Sequence, residues 1–143
     1  MSDHGIYLGN PNLKKANTAI EFTEEQVIEF LKCKEDPVYF ANNYIKIVSL
    51  DEGLTQFHPY HFQEKLINNF HENRFNICKM PRQTGKSTTV VSYLLHYAVF
   101  NDSVNIGILA NKAATARELL GRLQTAYENL PKWMQQGIIA WNK

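Results

Sequence analysis

The sequence is poor in the residues that build disulfide scaffolds and metal sites. It contains two cysteines, Cys33 and Cys78, which lie too far apart in the chain to form a CxxC pair. This usage favours reduced, buried thiols in a cytosolic compartment. The five histidines show no metal-site spacing with the cysteines. The one close pair is His58 and His61, for which we expect solvent-exposed or capping roles.

A strong charge imbalance and a long apolar run are also missing. The formal net charge of +1 does not indicate a nucleic-acid or membrane partner. Any nucleic-acid surface must therefore be a local patch or lie outside this chain. The longest apolar run, residues 90–100, is too short to span a bilayer, and no signal-peptide pattern opens the sequence. The hydrophobic share of 44% is typical of one globular domain, or of part of a larger one.

The sequence does contain a phosphate-binding pattern. Residues 80–88 fit the signature GxxxxGK[ST], except that Met80 stands where the first glycine belongs. Gly85 allows the backbone to approach an anion closely, and Lys86 can place a mobile positive charge near the β- and γ-phosphates. Ser87 offers a small hydroxyl to Mg²⁺. The helix that follows would point free N–H groups at the phosphates.

The surroundings of this loop favour an α/β fold. Residues 75–80 are predicted to form a strand entering the loop, and residues 87–100 a helix leaving it. A buried strand at residues 104–110, expected to be parallel to the first, and a helix at 115–129 follow. The alternative is an ordinary polar turn that caps a helix.

The N-terminal part of the chain shows a different organisation. Residues 1–22 are polar and lack periodicity, so we expect a loosely ordered, flexible leader. A helical segment is predicted over residues 23–56. Thr23 begins one helix with a capping box, and Asp36 caps a second helix that has Pro37 at its first position.

Gln63 is a candidate for recognition of adenine. It follows Pro59 and several aromatic residues, near the start of a predicted helix upstream of the phosphate loop. A glutamine amide can accept a hydrogen bond from N6 of adenine and donate one to N7. An exposed helical glutamine without a ligand is the alternative for this residue.

Several segments resemble the large terminase subunit of tailed bacteriophages. Residues 82–87 look like the variant phosphate loop of that family, which shows Arg-Gln-x-Gly-Lys followed by Thr or Ser. Further segments resemble the myovirus-type members, namely residues 36–48, 62–63, 105–112, 130–131 and 137–143. The resemblance covers most of the chain from about Phe22 onward.

The resemblance implies an ATP-driven motor that moves viral DNA into the procapsid. The implied fold is a P-loop NTPase of the ASCE/RecA-like type, with a three-layer α/β/α core whose first part would occupy residues 57–143. Lys86 and Arg82 would be the catalytic residues, because both would act on the γ-phosphate, and Ser87 would coordinate Mg²⁺. The full set expected to bind ATP is Gln63, Arg82, Gln83, Thr84, Gly85, Lys86, Ser87 and Thr88.

The family also implies partners and a location. These are double-stranded viral DNA, the portal protein and the small terminase subunit, in the cytoplasm of the infected bacterium and transiently at the procapsid portal rather than in the mature virion. No membrane partner is implied.

One departure from the family is large. No hydrophobic run ending in Asp-Glu occurs in this sequence, so the Walker B aspartate that holds the metal and the glutamate that orients water are missing. We therefore expect the N-terminal part of the ATPase domain without the nuclease domain. Such a chain would bind nucleotide but show little steady hydrolysis, and a complementing C-terminal half is a candidate partner.

Two other functions fit the same residues. Another DNA or RNA translocase with helicase-like topology would also combine a glutamine motif with a phosphate loop. A non-catalytic nucleotide-binding or assembly module, pairing with a separate remainder, would need no acidic pair.

Overall fold

The computed structural model describes residues 5–49 and 51–142. Helices and short strands both occur within these ranges, so the fold is mixed and broadly α/β. The helices are α1 (Glu24–Glu35), α2 (Pro37–Tyr44), α3 (His61–Glu72), α4 (Lys86–Phe100) and α5 (Ala113–Glu128). The strands are β1 (Ile6–Tyr7), β2 (Asn10–Lys14), β3 (Lys46–Ser49) and β4 (Gly53–Gln56). No described helix is both long and apolar enough to cross a bilayer.

The predicted helix starts at α1 and α2 are confirmed. The Thr23 hydroxyl accepts a hydrogen bond from the Gln26 N–H at 3.2 Å, and the Gln26 amide oxygen accepts one from the Thr23 N–H at 3.1 Å. This is a complete capping box. Asp36 accepts from two N–H groups of the first turn of α2, each at 2.9 Å, with Pro37 at the first helical position.

The predicted parallel strands at residues 75–80 and 104–110 are absent from the described structure. The strands that do form make two antiparallel hairpins, β1 with β2 and β3 with β4. A strand requires a hydrogen-bonded neighbour, and neither predicted segment has one among the described residues. Ile77 and Leu109 are accordingly exposed to 101% and 92%, where a buried sheet would have covered them.

Residues 46–49 and 51–56 also differ from the prediction of a helical segment over 23–56, in which Leu50 lies outside the described residues. They form the β3–β4 hairpin, in which Lys46 pairs with Gln56 and Ser49 with Gly53. Gly53 has a φ of +70°, which a glycine adopts at little cost at the end of a tight turn. The β-branched residues Ile47 and Val48 favour the strand over the helix.

The described part of the predicted leader is ordered, in contrast to the expected flexibility. Leu13 of β2 is 1% exposed and belongs to the hydrophobic core. The buried amide of Gln135 accepts from the Lys14 N–H at 2.9 Å and donates to the Asn12 carbonyl at 2.8 Å. An isolated parallel bridge joins Lys15 to Ile138. Met1 to His4 of the leader, and Lys143 of the predicted ATPase segment, lie outside the described residues.

The C-terminal half of α4 lies in an aromatic cluster that forms the centre of the core. The Phe40 ring of α2 is fully buried, 5.3 Å from the Phe100 ring and 5.5 Å from the His96 ring, between centroids. Helices α2, α3 and α5 all pack against α4. The opposite end of α4, which begins at Lys86, follows directly from the phosphate-loop pattern.

Candidate functional site

The loop before α4 ends at the glycine of the phosphate-binding pattern. Gly85 is the N-cap of α4 and adopts a left-handed conformation with a φ of +70°. The first N–H groups of any α-helix have no partner within the helix and carry its positive dipole end. The loop therefore presents N–H donors to an anion at the point where Lys86 and Ser87 begin α4.

Besides its left-handed φ, a close approach from α3 favours glycine at position 85. A Cβ built on this residue would collide with Nε2 of Gln63, which approaches from α3. Any L-residue at this position would thus face both an unfavourable φ and a steric clash. The contact joins the loop to α3 as well as to its own helix.

Met80, which stands in place of the first glycine of the signature, takes part in the loop through its main chain. Its backbone carbonyl accepts a hydrogen bond from Nζ of Lys86 at 3.2 Å. Gln83 and Gly85 have positive φ in this loop, and Met80 does not. Because the loop uses the main chain of Met80 in an ordinary conformation, a side chain is tolerated there.

Gln63 is buried and makes hydrogen bonds to the protein through both ends of its amide. Its oxygen accepts from the Tyr60 N–H at 2.8 Å, and its nitrogen donates to the Thr84 carbonyl at 3.1 Å. The residue is 3% exposed. These contacts tie the start of α3 to the phosphate loop, while recognition of adenine by Gln63 stays a prediction.

The remaining loop residues are held by short-range contacts. The Thr84 hydroxyl donates to the Pro81 carbonyl at 3.1 Å. Gln83 occupies the left-handed region with a φ of +63°, which costs a residue other than glycine about 1 kcal/mol. Backbone strain of this kind is concentrated at functional sites.

A cavity of about 390 Å³ lies against this loop. Its lining residues are Pro81, Arg82, Gln83, Thr84, Gly85, Lys86, Ser87, Thr88 and Arg122. Three of these residues are cationic, Arg82, Lys86 and Arg122, and none is acidic. Residues 82–88, seven of the eight predicted to bind ATP, are consecutive in the chain and line this one cavity, whose positive charge would suit a multiply charged anion.

A neighbouring cavity of about 350 Å³ is lined in part by Gln63, the eighth residue predicted to bind ATP. Gly85 and Thr88 line both cavities. Tyr60 also lines the second cavity, and its ring stacks on the Phe62 ring with 5.9 Å between centroids and 12° between planes. Tyr60 is 71% exposed, so an aromatic face is available beside the phosphate loop.

Arg122 also lines the loop cavity, although it lies outside the phosphate-binding pattern of residues 80–88. Its spacing from Glu118 predicts an ion pair on the surface of α5, and this pair is present with 2.6 Å between Nη2 and Oε1. Nothing in a helical pattern tells which neighbouring element that face will meet. In the fold, α5 packs against α4 and brings Arg122 to the loop cavity.

Comparison with known proteins adds no family assignment, since no family model matches the chain. The described residues contain no cluster of three or more His, Cys, Asp or Glu side chains suited to a metal ion. A Mg²⁺ ion at Ser87 would take most of its ligands from phosphate oxygens and water, as is usual for this ion. The residues present fit that arrangement, because Ser87 lies exposed in the first turn of α4 and lines the loop cavity.

Proposed function

We propose that this chain binds ATP with Mg²⁺ at the loop of residues 81–88. The observation that carries the proposal is the cavity at the start of α4, which is lined by three cationic residues and by no acidic one. A triphosphate is the common biological anion that matches such a charge. The left-handed Gly85 and the free N–H groups of the first helical turn supply further favourable contacts.

In this proposal Lys86 and Ser87 have separate tasks. Lys86 lines the loop cavity, and its ammonium group donates to the Met80 carbonyl across the loop. Only one of its three donors is needed for that bond. Ser87 would supply a hydroxyl to Mg²⁺, and Arg82 would bind the γ-phosphate through its planar guanidinium.

The wider proposal is that the chain is part of the ATPase domain of a phage large terminase. Support comes from the loop pattern of residues 82–87 and the segments that resemble this family. The corresponding fold would be the first part of a three-layer P-loop NTPase core. Viral DNA, the portal protein and the small terminase subunit would then be its partners, in the cytoplasm of an infected bacterium.

A second candidate is a nucleotide-binding module without its own hydrolysis. The observation that favours it is the lining of the loop cavity, which includes Lys86 and Ser87 for phosphate and Mg²⁺ but no acidic side chain that could hold the metal or orient water. The chain would then bind ATP and respond to it, while a separate segment supplied the acidic groups. A helicase-like translocase remains the alternative within the enzyme class.

Calorimetric titration with Mg-ATP tests the proposal. Lys86→Ala removes a charge-assisted hydrogen bond worth about 1.5–3 kcal/mol, so we expect binding to weaken by about tenfold to a hundredfold or more. Lys65→Ala is the matched control, because Lys65 is exposed on α3 and lines neither cavity. Equal ATP binding by the wild type and the Lys86 variant would refute the site.

Phosphate release separates the two candidates in the same samples. Robust turnover that is lost in Lys86→Ala would contradict the expectation of little hydrolysis and would favour a complete enzyme. Binding without turnover would favour the module.

A further inference from the structure

Arg122 reaches the loop cavity from a helix that the phosphate-binding pattern does not include. It lies in the second half of α5 and lines the same cavity as residues 81–88. It does not line the neighbouring cavity that contains Gln63 and Tyr60. Its charge therefore acts on the cavity lined by residues 81–88 and not on the cavity lined by Gln63.

The guanidinium of Arg122 is engaged on one side only. Nη2 donates to Oε1 of Glu118, one helical turn earlier, at 2.6 Å. Both side chains are about half exposed, 49% for Arg122 and 61% for Glu118, so solvent weakens the pair. A guanidinium has five N–H donors, which leaves donors for a second acceptor.

Glu118 does not line the loop cavity, although both residues line an adjoining cavity between β3 and α5. Arg122 thus lies at a boundary, with a carboxylate on one side and the cationic loop cavity on the other. Outside the loop cavity, the carboxylate of Glu118 accepts a hydrogen bond from Nη2 of Arg122. A phosphate chain in the cavity would offer Arg122 a more strongly charged acceptor.

We propose that Arg122 is a phosphate-contacting residue that leaves Glu118 for the phosphate chain when a nucleoside triphosphate binds. This inference rests on the proposed function of the loop. Helix α5 would thereby respond to the occupancy of the site. The exchange is one of ion-pair partners and involves no covalent step.

Nucleotides of different phosphate length provide the test. We expect Arg122→Ala to weaken Mg-ATP binding by about tenfold and AMP binding by less than about twofold, because one charge-assisted contact is lost only where phosphates reach it. Arg122→Lys should restore part of the ATP affinity, since it keeps the charge without the planar fork. Arg117→Ala is the control, an exposed arginine on the same helix that lines neither cavity.

Glu118→Gln tests the proposed exchange of ion-pair partners by changing the carboxylate instead of the arginine. Removing the competing carboxylate should tighten ATP binding by about two- to fivefold, in keeping with the small strength of an exposed ion pair. The double variant Glu118→Gln with Arg122→Ala should bind ATP as weakly as Arg122→Ala alone. Weaker ATP binding by Glu118→Gln would contradict the exchange.

The results also distinguish this inference from the proposed function. If the wild type fails to bind ATP, both are wrong. If Lys86→Ala abolishes binding while Arg122→Ala binds ATP like the wild type, the loop is the site and the role of Arg122 is refuted. An equal loss of ATP and AMP in Arg122→Ala, with a changed circular dichroism spectrum, would assign Arg122 a structural role and overturn the inference as well.

Discussion

The first turn of α4 and its last two turns differ in what surrounds them. At the first turn Lys86, Ser87 and Thr88 line an open cationic cavity. Towards the other end Leu95, His96, Val99 and Phe100 are buried, each no more than 6% exposed. One continuous helix therefore connects a solvent-facing loop to the centre of the core.

The two ends of α4 are therefore held in place by different interactions. The polar end gains little from burial, so its position depends on the rigid helix and on the contact from Gln63 to the Thr84 carbonyl. The apolar end gains stability from close packing of rings. We expect substitutions at the buried end to alter stability, and those at the loop to alter ligand binding.

Phe40→Ala should have the largest effect. Removal of this fully buried ring from its contacts with His96 and Phe100 is expected to lower the free energy of unfolding by about 3–5 kcal/mol. Urea denaturation followed by circular dichroism measures the loss. Phe75→Ala is the matched control, because Phe75 is 83% exposed and should cost less than about 0.5 kcal/mol. Equal losses of unfolding free energy in the two variants would contradict the expectation that the buried end of α4 carries the stability.

Acid should destabilise the buried end through His96. Its Nε2 lies 2.9 Å from the Cys33 carbonyl, which can only accept, so Nε2 bears the proton of the neutral ring. The buried Nδ1 has no hydrogen-bond partner among the described residues. Burial lowers the pKa of His96 to about 4, the electrostatic influence of the neighbouring His71 adds to this effect, and the hydrogen bond to the Cys33 carbonyl opposes it.

The sign of the pH effect follows from proton binding. Between pH 4 and 6.5 the unfolded chain binds the His96 proton and the folded chain does not, so stability rises with pH across this window. The contribution is complete above pH 6.5 and is lost as pH falls towards 4, with a total of about 3 kcal/mol. The free energy of unfolding, measured by urea titration at several pH values, should rise less steeply with pH for His96→Gln than for the exposed control His61→Gln. The same pH dependence in both variants would contradict the role assigned to His96.

Gly85→Ala adds only a methyl group but should lower both stability and ligand binding at the polar end of α4. The new Cβ would meet Nε2 of Gln63, and the left-handed φ adds about 1–2 kcal/mol of strain. We expect lower stability together with weaker ATP binding in calorimetry. Gly121→Ala is the control with the opposite sign. Nothing lies within 4 Å of a Cβ at that helical position, and alanine should stabilise α5 by up to about 1 kcal/mol.

Met80→Gly should have the smallest effect. It restores the glycine of the signature, yet the loop uses only the Met80 carbonyl, which glycine also possesses. ATP affinity should change by less than about twofold, and stability should fall by no more than about 1 kcal/mol. A large gain in affinity would show that the methionine side chain obstructs the site.

Much of the helical framework could be predicted because its signals are local. The capping box of Thr23 and the cap at Asp36 depend on hydrogen bonds that span two or three residues. The predicted helix of residues 87–100 matches α4 to within one residue, and that of 115–129 matches α5 to within two. Neither predicted strand forms among the described residues, and the four strands that do form were not predicted, since a strand depends on a partner whose identity a local pattern does not contain.

Local sequence patterns account for the turn before α4, the glycine at its end and the helix that follows. These depend on the steric freedom of Gly85 and on residues adjacent in the chain. The tertiary structure alone decided that Gln63 bonds to the Thr84 carbonyl, that Gln135 holds the N-terminal hairpin, and that Arg122 reaches the loop cavity. The physical reason is that such contacts join distant parts of the chain. Their geometry is set by how helices pack, which no short stretch of sequence specifies.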